Sequence, residues 1–219
     1  MLPFLFAPRP LSPFVLEIDG QPVQFRSTRP DDAAAFVASY ELLSERSRRL
    51  RFFGQISSLS SKQIDFLTHP DGVYHVAWGA FLPTQSGEPL PEQLLGVGRF
   101  IRRGNTSPEV ALTLIDAWQH KGLGLVLHAV LHRQAASLGI RQLIYDVSEE
   151  NEAFLRHLKA LGGKVVNKSE HVVRLVMPVY GRRWRIPKTP AGQRLKVILQ
   201  QLAALPTTPA ARMAPLPKR

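Results

Sequence analysis

The chain has 219 residues, 44% apolar and 21% charged, enough for one domain with a proper core and far from the composition of a disordered chain. Its net charge of +11 concentrates anions near the surface and points to nucleic acid, anionic membrane or a polyanionic cofactor as partners. The absence of cysteine excludes disulfides, thiolate zinc sites and a cysteine nucleophile, and a reducing cytoplasmic location fits it.

Residues 1–21 begin with an apolar run that has no basic leader, and Pro3, Pro8, Pro10 and Pro13 break any helix there. An extended segment packed on the body is expected, not a signal peptide. No stretch reaches the roughly 20 apolar residues that span a bilayer. "FVLEIDGQPVQFRS" alternates about Asp19-Gly20 and predicts a hairpin. Asp31 and Asp32 start a helix before "AAAFVASYELL". Ser44 caps a second helix with Leu50 and Phe53 on its apolar side and Gly54 as its stop; "SSKQIDFLTHP" is a third, ended by Pro70.

"GVYHVAWGAFL" and "QLLGVGRFIRR" read as strands joined by the Pro- and Gly-bearing loop "PTQSGEPLPEQ", and "EVALTLI" at 109–115 follows as a third. Three successive strands imply an antiparallel meander. An amphipathic helix runs from Leu123 to Gly139, followed by the strand "RQLIYDV", a helix in "EENEAFLRHLKALGG" ending at Gly162 or Gly163, and strands in "KVV" and "HVVRLVMPV". The fold class is therefore α/β: a mixed, mostly antiparallel sheet flanked by helices, with one crossover making a parallel pair. Residues 22–180 form the domain. Residues 181–219 are a basic, Pro-containing extension with a peripheral helix in "AGQRLKVILQQLAAL" and a frayed end.

In "ALTLIDAWQHKGLG" a strand, a short loop and a helix start create unpaired backbone N–H groups at a positive helix end, a nest for phosphate. Gly122 and Gly124 permit close approach of a pyrophosphate, and Lys121 brings a charge within reach of its oxygens. Neither the Walker A pattern nor GxGxxG is present. The Arg clusters "RSRRLR", Arg102-Arg103 and "RRWR" read as solvated faces and lack the interleaved aromatics of a nucleic-acid surface, so nucleic acid is not the expected partner. His128 and His132 sit four apart on one helix but lack HExxH and a third ligand, and "HPDGVYH" reads as a turn, so no metal is expected. Trp78 and Trp118 are packing residues.

"QHKGLG" at 119–124 resembles the Q/R-x-x-G-x-G/A loop of the GCN5-related N-acetyltransferase (GNAT) family, and "ENEAFLRHLKALGG" resembles its later helix, with Asn151 and Gly162 in matching positions. Together with "LRFFG" and "EVALTLI", the pattern is most similar to the domain of the Pat-type protein lysine acetyltransferases. The resemblance implies the GNAT sheet, with a splayed parallel strand pair at the CoA site, and an acetyl-CoA-dependent N-acetyltransferase acting by direct attack of an amine, most simply a protein lysine.

By that resemblance Gln119, His120, Lys121, Gly122, Leu123 and Gly124 hold the CoA pyrophosphate, backbone N–H at Leu114 or Ile115 holds the thioester carbonyl, and Glu109 is the general base. Alternation puts Glu109 and Thr113 on one face of their strand. Asn151 hydrogen-bonds the pantetheine arm, caps its helix, or both. Three departures from the family stand out: His120 where glycine is common, Gly163 where Phe is usual, and Leu158 in the place of a tyrosine general acid. A small-molecule amine acetyltransferase and a non-catalytic acyl-CoA sensor are the competing readings. The positive charge repels amines unless carboxylates line the mouth of the site; Glu41, Glu45 and Asp65 are the available ones, and an acidic protein is the expected acceptor.

Overall fold

The computed structural model describes residues 11–53, 58–83, 92–102, 107–180 and 186–205, with the backbone of 211–212. The expectations for residues 1–10, Gly54, most of the loop 83–93, Arg103, the turn at 104–106, "RRWR" and the end after 212 lie outside these residues.

The strands are β1 (Phe14–Ile18), β2 (Gln21–Ser27), β3 (His75–Leu82), β4 (Gln93–Ile101), β5 (Glu109–Leu114), β6 (Gln142–Ser148), β7 (Lys164–Lys168), β8 (Val172–Pro178) and β9 (Ala211–Arg212). The helices are α1 (Ala33–Glu41), α2 (Glu45–Phe52), α3 (Ser61–Thr68), α4 (Leu123–Ser137), α5 (Glu152–Ala160) and α6 (Pro190–Ala204). The strands form one sheet in the order β7-β8-β6-β5-β4-β3-β2-β1-β9. Pairing is antiparallel except at β5–β6 and at the two-residue β1–β9 contact. The α/β class, the meander and the parallel crossover pair are as expected.

Local chemistry explains most boundaries. Asp19 (φ 54°) and Gly20 (φ 75°) both take the left-handed conformation that a two-residue hairpin turn requires. Ser44 Oγ accepts the Ser47 N–H to cap α2, and Ser60 with Gln63 forms a capping box on α3. α2 ends at Phe53, whose φ of 54° is left-handed. Asp32 ends the 3-10 turn that leads into α1, and its Oδ2 accepts the Arg29 N–H at 2.8 Å at the start of that turn. The carboxylate also takes a bidentate bond from the buried Arg26 guanidinium at 2.7 and 2.8 Å, and Glu92 accepts from the same guanidinium. Burial disfavours that cation, and the two carboxylates more than offset it, so the Arg26 pKa is raised.

The core lies mainly between the sheet and α4, which is buried on nearly every side. Close approach requires Gly98 on β4, where an added Cβ would stand 3.2–3.3 Å from Leu131 and Leu127. A smaller cluster of Ala35, Phe36, Leu67, Phe81 and Leu94 fills the other face under α1 and α3.

Both segments outside residues 22–180 share this core. Phe14, Leu16 and Ile18 of β1 are buried, as are Leu195, Ile198 and Leu202 of α6, which packs on α4 and α5. Burial on this scale stabilises by about 1.5–3 kcal/mol per side chain, so α6 is a structural element of the core and not a peripheral one. Where the family places Phe, a Cβ on Gly163 would already meet Leu158 O at 2.9 Å. The end of α5 is closed instead by the Tyr180 and Thr189 hydroxyls, which donate to Leu161 O and Ala160 O, both at 2.5 Å.

Candidate active site

β5 and β6 pair only where Glu109 faces Ile144, with Ile144 N–H donating to Pro108 O at 2.9 Å, and then diverge. The other edge of β5 stays bonded to β4: Ile115 N–H donates to Leu95 O at 3.0 Å. Antiparallel alternation then commits the odd-numbered N–H groups of β5 to β4 and turns those of Leu112 and Leu114 toward the gap left by β6. Of the two expected carbonyl donors, the buried Ile115 is thus already engaged, and Leu114 offers a free N–H.

A cavity of about 780 Å³ occupies the wedge. Glu109, Leu114, Gln119, His120, Gly122, Gly124 and Asn151 all line it. Gln119 Nε2 lies 3.4 Å from Leu114 O and 3.3 Å from Ser47 Oγ, bridging strand, loop and α2. Gly122 is the N-cap of α4 at φ 92°. The N–H of Gly124, which lines the cavity, has no acceptor among the described residues, so the helix end presents a free donor there. Leu123 is fully buried, backbone included, and does not line the cavity. Asn151 Oδ1 accepts the Phe154 N–H at 3.2 Å, so it caps α5 while facing the cavity.

Two loop residues depart from expectation. Lys121 Nζ is held by Asp19 Oδ2 at 2.7 Å, across from Trp118, and does not line the cavity. His120 has φ 61°, so a β-carbon occupies the left-handed conformation where the family's glycine carries none. His120→Gly is expected to stabilise the fold by up to about 1 kcal/mol, because the relieved backbone strain exceeds the entropy that glycine adds to the unfolded chain. Chemical denaturation at constant m-value checks it, and a loss of stability would show that the His120 ring carries the loop.

The wall opposite α4 is basic. Asp116, whose carboxylate accepts from Ser44 N, Ser44 Oγ and Ser47 Oγ at 2.8–2.9 Å, ties α2 to the loop after β5. Burial works to raise the Asp116 pKa, but these bonds outweigh it and hold the pKa below the ordinary value. One turn further along α2, Arg51 Nε donates to Thr113 Oγ1 at 2.8 Å. Arg99, on the same face of the sheet, stands over the Phe66 ring at 5.4 Å with its Nε buried and unpartnered. Glu41, Glu45 and Asp65, the expected carboxylates of the mouth, do not line the cavity; Asp65 pairs with His69. Glu109 is exposed to the cavity, and the Arg174 guanidinium that feels its charge is fixed by Asp146 at 2.6 and 2.7 Å.

Leu158 is fully buried, while its neighbour His157 lines the cavity, its pKa lowered by burial. His128 and His132 lie in the core: His128 Nε2 is 2.6 Å from Tyr145 Oη, and His132 Nδ1 accepts the Tyr180 N–H at 3.4 Å. No group of three or more His, Asp or Glu side chains suited to a metal occurs among the described residues, and no described helix is long and apolar enough to cross a membrane.

No family model matches the sequence, and no curated protein matches it. Solved structures do. The GNAT domain of S. lividans PAT superposes with a TM-score of 0.67 at 26% identity, over 76% of this chain and 96% of that one. A cAMP-binding acyltransferase from Mycobacterium smegmatis gives 0.54 at 19% identity over 88% of this chain, which spans only 55% of that protein's length. Spermidine N-acetyltransferase from Vibrio cholerae, in complex with CoA and spermine, gives 0.55 at 13% identity, over 72% of this chain and 95% of that one.

Proposed function

We infer that this chain, whose fold is that of the GNAT acetyltransferases, is an N-acetyltransferase that transfers an acetyl group from acetyl-CoA to a protein lysine. The observation that carries the reading is the convergence on one cavity of three features: the free N–H of Gly124 at the start of α4, the Leu114 N–H turned into the wedge, and Glu109.

The α4 end fits a pyrophosphate, since the unpaired Gly124 N–H and the positive end of the helix dipole meet where Gly124 has no side chain. Gln119, His120 and Gly122 shape that cradle, Lys121 steadies its outer side through Asp19, and Asn151 reaches the pantetheine from the cap of α5. Leu114 N–H polarises the thioester carbonyl. Glu109 removes a proton from the acceptor ammonium, directly or through a water. The neutral amine nitrogen then attacks, the C–N bond forms, the C–S bond breaks, the nitrogen gives up its second proton to solvent to leave a neutral amide, and the thiolate takes a proton from solvent, because the apolar, buried Leu158 supplies none.

The test is thiol release from acetyl-CoA with a protein acceptor of acidic surface against spermidine, at rising ionic strength. The protein is expected to be the better substrate, with a rate that falls as salt screens the attraction to the +11 chain. A strong preference for spermidine would make the chain a small-molecule acetyltransferase, and acetyl-CoA binding without turnover would make it a sensor. Gly124→Val should weaken CoA binding more than about tenfold, or 1.4 kcal/mol, in a folded protein. An added Cβ meets only Leu114 Cδ1 at 3.2 Å, so the fold tolerates it while the phosphate approach is blocked. Unchanged affinity, measured by calorimetry, would remove the loop from the cosubstrate site.

A further inference from the structure

Arg51 and Arg99 are the part of the cavity that acetyl transfer to a simple amine does not use. Both guanidiniums line the cavity, and neither forms an ion pair with a carboxylate among the described residues. Burial pushes the Arg51 pKa down to about 9, with Arg99 adding repulsion, and that of Arg99 down to about 10. Both stay cationic at neutral pH, so two desolvated like charges share one wall without a counter-ion. Such an arrangement costs stability, and removing it costs a fold nothing unless a ligand supplies the missing anion.

The location decides which anion. Arg99 pairs in register with Ala111 and so lies on the sheet face shared by Glu109 and Thr113, opposite Gly98 and α4. Arg51 reaches that face from α2, and Phe66 of α3 stacks beneath Arg99. The phosphate-binding nest is at the other end of β5, at the N-terminus of α4.

We propose that Arg51 and Arg99 form a carboxylate-binding subsite for the acceptor, so that the preferred amine carries a carboxylate on the same molecule close to the nitrogen that is acetylated. This rests on the acetyltransferase reading and narrows its acceptor class. The carboxylate belongs either to an acidic residue beside the target lysine of a polypeptide or to a free amino acid. The same two cations favour the neutral form of a nearby amine, the form that attacks.

The experiment compares pairs of acceptors that differ only in charge: a blocked peptide with Asp beside its single lysine against the Asn version, and a free ω-amino acid against its amide. Wild-type kcat/KM is expected to favour the carboxylate member of at least one pair by about tenfold or more, and the responding pair identifies the source. In Arg99→Gln, and in Arg51→Gln with Arg99→Gln, that ratio should fall toward one. The melting temperature of Arg99→Gln should hold or rise, because an unpaired buried charge is removed, whereas loss of a structural ion pair would lower it. Equal wild-type rates within both pairs overturn the subsite, as does a ratio that survives both substitutions. So does a fall in CoA affinity in the variants, which would assign the arginines to the cosubstrate. Absence of thiol release from every amine overturns the acetyltransferase reading itself, a separately recognisable result.

Discussion

Glu109→Gln is expected to lower kcat by two orders of magnitude or more at saturating substrates, while acetyl-CoA binds as before. The amide keeps the shape of the carboxylate at the start of β5 but cannot accept a proton from an ammonium ion. Because Glu109 is exposed within the cavity and makes no ion pair at contact distance, its replacement breaks no packing. Single-turnover rates with a fixed acceptor are the measurement. The loss should shrink as pH rises, since more of the acceptor is then already neutral and needs no base. Equal rates for variant and wild type would remove Glu109 from the chemistry and leave deprotonation to bulk water.

The second large effect is on stability in acid. His128 and His132 are fully buried and share α4, their rings stacked at 5.6 Å. Burial lowers both pKa values, that of His132 to about 3 and that of His128 well below the ordinary value, with His132 and His157 adding repulsion to His128. In the unfolded chain both titrate near 6.5. Below that pH the unfolded state binds protons that the folded state refuses, so stability falls as pH falls. His132 contributes a slope of about 1.4 kcal/mol per pH unit down to pH about 3, and His128 adds to it in the same direction. His132 alone removes roughly 2–3 kcal/mol between pH 6.5 and 4.5, and His128 acts in the same direction. The protein is therefore expected to lose much of its stability in mild acid. His132→Asn, which keeps an acceptor for the Tyr180 N–H, should flatten the dependence of unfolding free energy on pH by about 1.4 kcal/mol per unit. An unchanged slope in urea titrations from pH 7 to 4.5 would place the acid sensitivity elsewhere.

Features of the fold written into local sequence were legible. Asp19-Gly20 specifies its hairpin because both residues tolerate positive φ, and the caps at Ser44 and Asn151 sit where short polar side chains precede helical runs. The site was legible in its loop, where glycines at a strand-to-helix junction have few other uses. It was illegible wherever a side chain's partner is remote in sequence. The run "RSRRLR" reads as a solvated face, and only the packing of α2 on β5 turns Arg51 inward onto Thr113. Lys121 reads as a phosphate ligand because Asp19, which engages it, lies on a turn far earlier in the chain. Asp32 reads as a helix-start residue and accepts the Arg29 N–H as one, but nothing in the sequence marks Arg26 on the preceding strand as its buried partner. The strain at His120 has no sequence signal beyond a missing glycine.

The burial of α6 has a consequence for how the protein is made. Synthesis runs from the N-terminus, so the sheet strands and α4 leave the ribosome before residues 190–204 exist. α4 is apolar nearly all round, and the side that α6 will cover stays open to solvent in the nascent chain. Until Leu195, Ile198 and Leu202 arrive, that surface is sticky and chaperones are its natural companions. Folding of this core can then finish only after residues 190–204 have emerged, and a ribosome stalled near residue 180 would carry the strands β1–β8 with an uncovered core.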